Sequence, residues 1–293
     1  MTESPAQPGF LASGENAADR RPADAGRSAG SLPTQGSPAL NDAYRAQPVS
    51  FVRRGSRLQG RRQKAWEEHA DSYVIDVPRH VADTSVHPDF TLDAAAVYGR
   101  TAPLIMEIGS GLGEAVVHAA AENPDTDFLA VEVYRPGLAQ TLLKVASRGL
   151  TNVRVVQANA PEVLATMIRP ESLTEVWVFF PDPWHKAKHE KRRLVTPAFA
   201  DQVAAALKPG GFWRLATDWE HYALQMREVG NASPAFVNLY APSGQGQSAD
   251  PASAVEDPEG GWAPRFAGRI LTSFENKAHQ AGRSIRELEY RKI

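Results

Sequence analysis

The residues best placed to do chemistry begin at one glycine-rich segment, Glu107-Ile-Gly-Ser-Gly-Leu-Gly113. Glycines between a strand and a helix let a ligand approach the backbone, and the helix start offers free N–H groups. A dinucleotide fingerprint needs Gly-x-Gly-x-x-Gly. Here the order is Gly109-x-Gly111-x-Gly113, with Glu114 in the next place. Glu107, just before the turn, would repel a pyrophosphate and attract a cation. The pattern therefore favours a ligand with a sulfonium and an ammonium, S-adenosylmethionine, over a nicotinamide dinucleotide. Glu132 follows at the roughly 20-residue spacing at which a strand-end carboxylate accepts from ribose hydroxyls. The bland alternative is a surface glutamate at a strand end. Asn159 stands after the next apolar run. Its side chain could cap a short helix or read an adenine edge.

A second constellation is Val178-Phe-Phe-Pro-Asp-Pro-Trp-His-Lys186, followed by Lys188, Glu190, Lys191, Arg192 and Arg193. Two prolines fix the backbone around Asp182 and preorganise its carboxylate. A rigid turn that Asp182 merely caps is the structural alternative. The basic run would ordinarily be a solvated face; beside a ligand crevice it suits a phosphate backbone. A further basic stretch, residues 50–64, holds six Lys or Arg and no acid. It reads equally as a solvated linker or as an arm for phosphates.

These residues need a scaffold that gathers strand ends, and the pattern supplies one. Apolar runs predict strands at 104–108, 128–133, 153–157, 176–180 and 212–217. Helical spacing between them predicts helices to about 121, over 136–148, 162–168 and 198–207, and then over 219–229. Alternation of strand and helix implies an α/β, doubly wound parallel sheet, whose ligands gather outside the carboxyl ends of its strands. Strands over 236–240 and 284–292, with a helix over 275–282 between them, complete it. Residues 1–48 are dominated by Ala, Gly, Pro and Ser and are expected to be disordered. Residues 49–99 read as a basic arm and a helical segment, and a flexible loop is expected near 241–264.

Composition narrows the chemistry. The chain has 293 residues, a formal net charge of −2 and no cysteine. Disulfides, Cys-ligated metals, iron–sulfur clusters and thiol nucleophiles are excluded. So are pyrimidine C5 methylation, which uses a thiol, and radical chemistry on a Cys-ligated cluster. No apolar run approaches the ~18 residues of a membrane helix. The N-terminus resembles neither a secretory signal nor a mitochondrial presequence, so the cytoplasm is the expected location.

Several segments together resemble the bacterial tRNA (guanine-N7-)-methyltransferase family. They are Ser50-Phe-Val-Arg, the Glu107 turn, Val131-Glu-Val, Phe179-Phe-Pro-Asp-Pro-Trp-His-Lys, Lys191-Arg-Arg, Ala216-Thr-Asp-Trp-Glu, Thr272-Ser-Phe-Glu and Glu287-Leu-Glu-Tyr. They run from about residue 49 to the end. The resemblance implies a Rossmann-like class I methyltransferase sheet, mostly parallel with an antiparallel C-terminal strand. It implies methylation of guanine N7 at position 46, in the tRNA variable loop, by S-adenosylmethionine, leaving S-adenosylhomocysteine, with no metal. By motif, Glu107, Gly109, Gly111, Glu132, Asn159 and Asp182 match cofactor positions, and Asp182 also the catalytic one. Asn159 departs from the usual Asp, but an amide oxygen can still accept from an adenine amino group. Lys186, Asp218, Thr272, Ser273, Phe274 and Glu275 match substrate positions. Lys188, Lys191, Arg192 and Arg193 are expected on RNA phosphates. Beyond tRNA no partner is expected: no membrane, no obligatory protein, a monomer.

The chemistry this implies is undemanding in groups. Guanine N7 has a lone pair and no proton, so it attacks a sulfonium methyl without a base, and alignment alone is worth up to ~7–11 kcal/mol. A carboxylate near the base would stabilise the positive charge that develops and accept from N1–H and N2–H. Asp182 is the candidate, with Asp218 as helper or, alternatively, as a helix cap. Phe274 and Trp184 could stack a base. Rival readings are a transferase acting on a small metabolite and a non-catalytic RNA-binding protein.

Overall fold

The computed structural model describes residues 57–241 and 260–293. The expectations for residues 1–48, for the arm at 49–56 and for 242–259 lie outside the described residues.

Seven strands form one sheet: β1 (Leu104–Ile108), β2 (Asp127–Glu132), β3 (Val153–Gln157), β4 (Leu173–Phe179), β5 (Leu207–Thr217), β6 (Phe236–Asn238) and β7 (Arg286–Lys292). Their order is β3-β2-β1-β4-β5-β7-β6. β1 to β5 pair in parallel, and β7 runs antiparallel between β5 and β6. Strands covered on both faces read as continuous apolar runs, and Phe128-Leu-Ala-Val131 is buried throughout. The pleat splits them between two cores. Leu129, Val131, Val176 and Val178 join one; Phe128, Ala130, Trp177 and Phe179 join the other.

Helices α1 (Gly60–Tyr73), α2 (Ala94–Tyr98), α3 (Glu114–Glu122), α4 (Arg135–Ser147), α5 (Pro197–Ala206), α6 (Glu220–Ala232) and α7 (Ser273–Gln280) cover these faces or stand at the sheet's rim. The segment before β1 shares this core. Ile75 donates its N–H to Val155 O, and Ile75, Val77, Val86 and Leu92 pack in the same cluster as Met106.

Some boundaries differ from the sequence pattern for identifiable reasons. β4 begins at Leu173, because Leu173 pairs with Leu207 across a register shift. β5 therefore starts at Leu207 and contains Lys208-Pro-Gly-Gly211, although the helix pattern was expected to run to 207. The helix expected at 162–168 is a turn at Ala160–Glu162 running into a π-turn at Val163–Met167. Part of the expected flexible loop is packed instead. Gly260, Gly261 and Trp262 are buried, and Ala263 bridges to Glu287. Arg227 stacks on Trp262 and donates to Gly260 O, which holds that stretch against α6.

Candidate active site

Strand order reverses at β1, flanked by β2 and β4, and there the carboxyl ends of the strands open a crevice. A cavity of about 380 Å³ fills it. Glu107, Gly109, Gly111, Glu132, Asn159 and Asp182 all line it, so one site collects all six.

The turn between β1 and α3 is locked in a left-handed backbone. Gly111 and Gly113 have φ of +55° and +69°. A Cβ at Gly113 would lie 2.4 Å from Thr141 Oγ1 on α4, so backbone strain and a clash both exclude larger residues. Glu132 holds the turn from the neighbouring strand. Its Oε2 accepts from Gly111 N at 2.9 Å, and its Oε1 from Val133 N and Tyr134 N. Burial raises its pKa against those three amide bonds. A carboxylate offers about four lone-pair positions, so some acceptor capacity is left for a ligand hydroxyl.

Glu107 is buried within β1, and its Oε2 has no hydrogen-bond partner. Burial pushes its pKa up to about 8, opposed by a bond from the Val116 amide and by the Arg269 charge. The buried hydroxyl of Ser110 is likewise unsatisfied. Unpaired buried polar atoms are uncommon and call for an explanation; here both belong to residues of the cavity wall. Asn159 occupies the cap position before Ala160 but makes no capping bond. Its backbone N–H goes to Thr84 O at 2.7 Å, and its amide group contacts Glu162 Oε1.

Asp182 lines the same cavity just beyond the end of β4; it is exposed to solvent, and partial desolvation raises its pKa. The backbone around it is unusual. Phe180 and Trp184, neither a glycine, have φ of +52° and +45°. Such residues persist only where their surroundings over-determine them, and they cluster at functional sites. Phe180 packs against Phe274 and under the Arg269 guanidinium, and Arg192 lies over Trp184.

Thr272, Ser273 and Phe274 complete the rim, together with Arg192. Ser273 donates through both N and Oγ to Glu114 Oε2, each at 2.8 Å, which ties the start of α7 to the start of α3. Phe274 is half exposed beside the cavity. Lys186, Lys188 and Lys191 are exposed on the 3-10 turn that follows Asp182, outside the cavity wall.

Two expectations are corrected. Arg193 is not a surface phosphate contact: it is 1% exposed. Its guanidinium donates to Pro183 O and Gln225 Oε1 and meets His221 Nδ1. Glu275 does not present its carboxylate to a substrate. It is fully buried between Arg265 and Arg269, and those pairings hold its pKa down despite burial. Thr272 Oγ1 accepts from Glu275 N, so Thr272-Ser-Phe-Glu is a helix start of the capping type. That spacing was the available sequence signal for a structural glutamate. Asp218 caps no helix and lies off the cavity wall. It pairs with Arg283 at 3.0 Å.

Cavity residues that the sequence reading passed over are Ser110, Glu114, Tyr134, Leu194 and Lys277. Glu114 was the most legible of them, standing at the first position of a helix after three glycines.

Seven strands in this order, with an acidic, glycine-floored cavity at the switch point, define an α/β protein of the class I methyltransferase fold. Comparison with known proteins gives the family. A family model described as "Putative methyltransferase" matches residues 101–288. A tRNA (guanine-N(7)-)-methyltransferase of Paenarthrobacter aurescens is 59% identical over 88% of this chain and 96% of its own length. Proteins of the same name from Cutibacterium acnes and Paracidovorax citrulli are 44% and 40% identical. They cover 86% and 93% of this chain, and 86% and 98% of their own lengths. The chain belongs to the tRNA (guanine-N(7)-)-methyltransferase family.

Proposed function

We propose that this protein methylates N7 of guanine 46 in the variable loop of tRNA, using S-adenosylmethionine, in the bacterial cytoplasm. Family membership supports the reaction. The observation that carries the cofactor is the unpaired Glu107 Oε2 on the cavity wall, which suits an ammonium donor. When bound, S-adenosylmethionine supplies a sulfonium methyl group to an in-line nucleophile.

The chain's own residues then divide the work. Glu107 pairs with the amino group, which gives its Oε2 the hydrogen-bond partner it lacks. Glu132 fixes the glycine turn through Gly111 N and offers its remaining lone pair to a ribose hydroxyl. Asn159 presents its amide to the adenine edge. Asp182, at the cavity wall, accepts from the N–H groups of the guanine and stabilises the positive charge that grows on the ring as N7 is alkylated. No residue has to remove a proton from N7. Phe274 offers an exposed face for stacking, Thr272 and Ser273 line the substrate side, and Lys186, Lys188, Lys191 and Arg192 meet phosphates.

Incubation with methyl-labelled cofactor and unmodified tRNA, followed by borohydride and aniline cleavage, tests the reaction. Label should enter the RNA and cleavage should fall at the variable loop. Absence of label in RNA would sink the reading. Asp182→Ala should lower kcat by on the order of 100-fold or more while cofactor binding remains measurable. Near-normal turnover in that variant would remove Asp182 from the mechanism.

A further inference from the structure

We infer that Arg193 is the positioning residue for Asp182, acting through the Pro183 carbonyl; its kinetic consequence rests on the methyltransferase reading above. The segment that carries Asp182 leaves the sheet directly. β4 ends at Phe179, and Phe180 N makes the adjoining bond, to Ala216 O at 2.8 Å. Pro181 and Pro183 have no N–H to give. Left-handed Phe180 and Trp184 bracket Asp182, a conformation the chain does not hold unaided.

Arg193 anchors this segment from the buried side. Its Nε donates to Pro183 O at 2.8 Å, the carbonyl of the residue after Asp182. The same guanidinium is fixed by α6: Nη1 donates to Gln225 Oε1 at 2.7 Å and meets His221 Nδ1 at 3.0 Å, and the plane lies over Tyr222. Glu190 Oε1 stands 3.4 Å from Nη2. Gln225 Nε2 in turn donates to Val195 O, and Val195 N donates to the Tyr222 hydroxyl. The chain segment that follows Arg193 is thus tied to the same helix. A planar fork with several fixed donors suits this task, and a lysine ammonium matches it only in part. Buried in this way, Arg193 orients the Asp182 carboxyl and touches neither cofactor nor RNA.

The test compares Arg193→Met and Arg193→Lys with the unaltered protein, using unmodified tRNA, S-adenosylhomocysteine and hydrogen exchange. Misplacement of a reacting group by about 1 Å can cost on the order of 100-fold. Arg193→Met should therefore lose 10- to 100-fold in kcat, roughly, while S-adenosylhomocysteine affinity stays within about twofold. Exchange at amides of 184–188 should quicken, with the β1 to β3 amides unchanged. The salt dependence of tRNA binding should not move. Arg193→Lys should recover part of kcat. If Arg193→Met does not fold, Gln225→Leu loosens the same guanidinium and should reproduce the pattern in weaker form. A salt slope smaller by about 0.9 would restore a phosphate contact and overturn the proposal. Unchanged exchange at 184–188 in a folded variant would overturn it too. Should the unaltered protein fail to methylate tRNA, the proposed function falls, and the exchange measurement still decides whether Arg193 holds the Asp182 segment.

Discussion

Glu107 shows how much one buried carboxylate determines. Its pKa, raised to about 8 chiefly by burial, means that the unliganded protein carries it protonated at neutral pH. An ammonium ligand needs the carboxylate, so binding expels a proton. Affinity for S-adenosylhomocysteine should rise as pH climbs towards about 8 and then level off, with proton release seen by calorimetry in buffers of different ionisation enthalpy. Glu107→Gln should bind weakly and lose that pH dependence. A pH-independent affinity in the unaltered protein would contradict the pairing. The folding linkage has the opposite sense. The folded state holds a proton that the unfolded chain releases above about 4.3, so this group's contribution to stability falls as pH rises from there through about 8. Glu107→Gln should flatten that decline in a denaturation series.

At the scale of elements, the site depends on how α3 and α4 are set against the glycine turn. Gly113→Ala would force an L side chain into φ +69° and against Thr141. The expected cost is about 1–3 kcal/mol, read as a lower midpoint in denaturant, with weaker cofactor binding. Thr141→Ala in the same chain should recover the part due to Oγ1 and Cγ2 and leave the backbone strain and the 2.8 Å contact with Thr141 Cβ, so the two changes should be non-additive. The elements themselves were largely legible in the sequence. β1, β2 and β3 are buried on both faces, so their apolar runs coincide with their boundaries to within a residue or so. The start of β5 was not, because Lys208, Pro209 and Gly210 are exposed and look like a turn although they sit within a strand across a register shift. The six residues expected at cofactor positions line one cavity for a related reason: each lies near or just after the carboxyl end of a strand, and topology brings strand ends together. Arg193 was not legible. In Lys191-Arg-Arg nothing in composition says which cation turns inward; only the 3-10 turn at Ala187–Arg192 and the partners on α6 decide that.

For the whole molecule, a net charge of −2 conceals where the cations lie. One group is the exposed Lys186, Lys188 and Lys191 beside the Asp182 wall. The other is the first half of α1. Trp66 stacks with Arg135, the first residue of α4, and Tyr73 lies near Arg154 at the start of β3. α1 therefore runs from the carboxyl edge of the sheet towards the amino edge, with Arg61, Arg62 and Lys64 in its first half; Lys64 pairs with Glu68. Glu67, Glu68 and Asp71 fill the second half. This charge order opposes the helix dipole, which favours acids at the N-terminus and bases at the C-terminus by roughly 0.3–1 kcal/mol each. The dipole does not account for this order, although Lys64 pairs with Glu68 one turn on; tRNA phosphates at this edge would account for it, which rests on the function proposed above. Changing Lys186, Lys188 and Lys191 together to Gln should reduce the slope of log affinity for tRNA against log salt by roughly 0.9 for each phosphate no longer neutralised. Arg61→Gln with Arg62→Gln should reduce it again without lowering the thermal midpoint, since the dipole conflict is relieved. If the α1 pair leaves the slope unchanged while the lysine variant lowers it, RNA meets only the Asp182 side, and the basic start of α1 serves no phosphate.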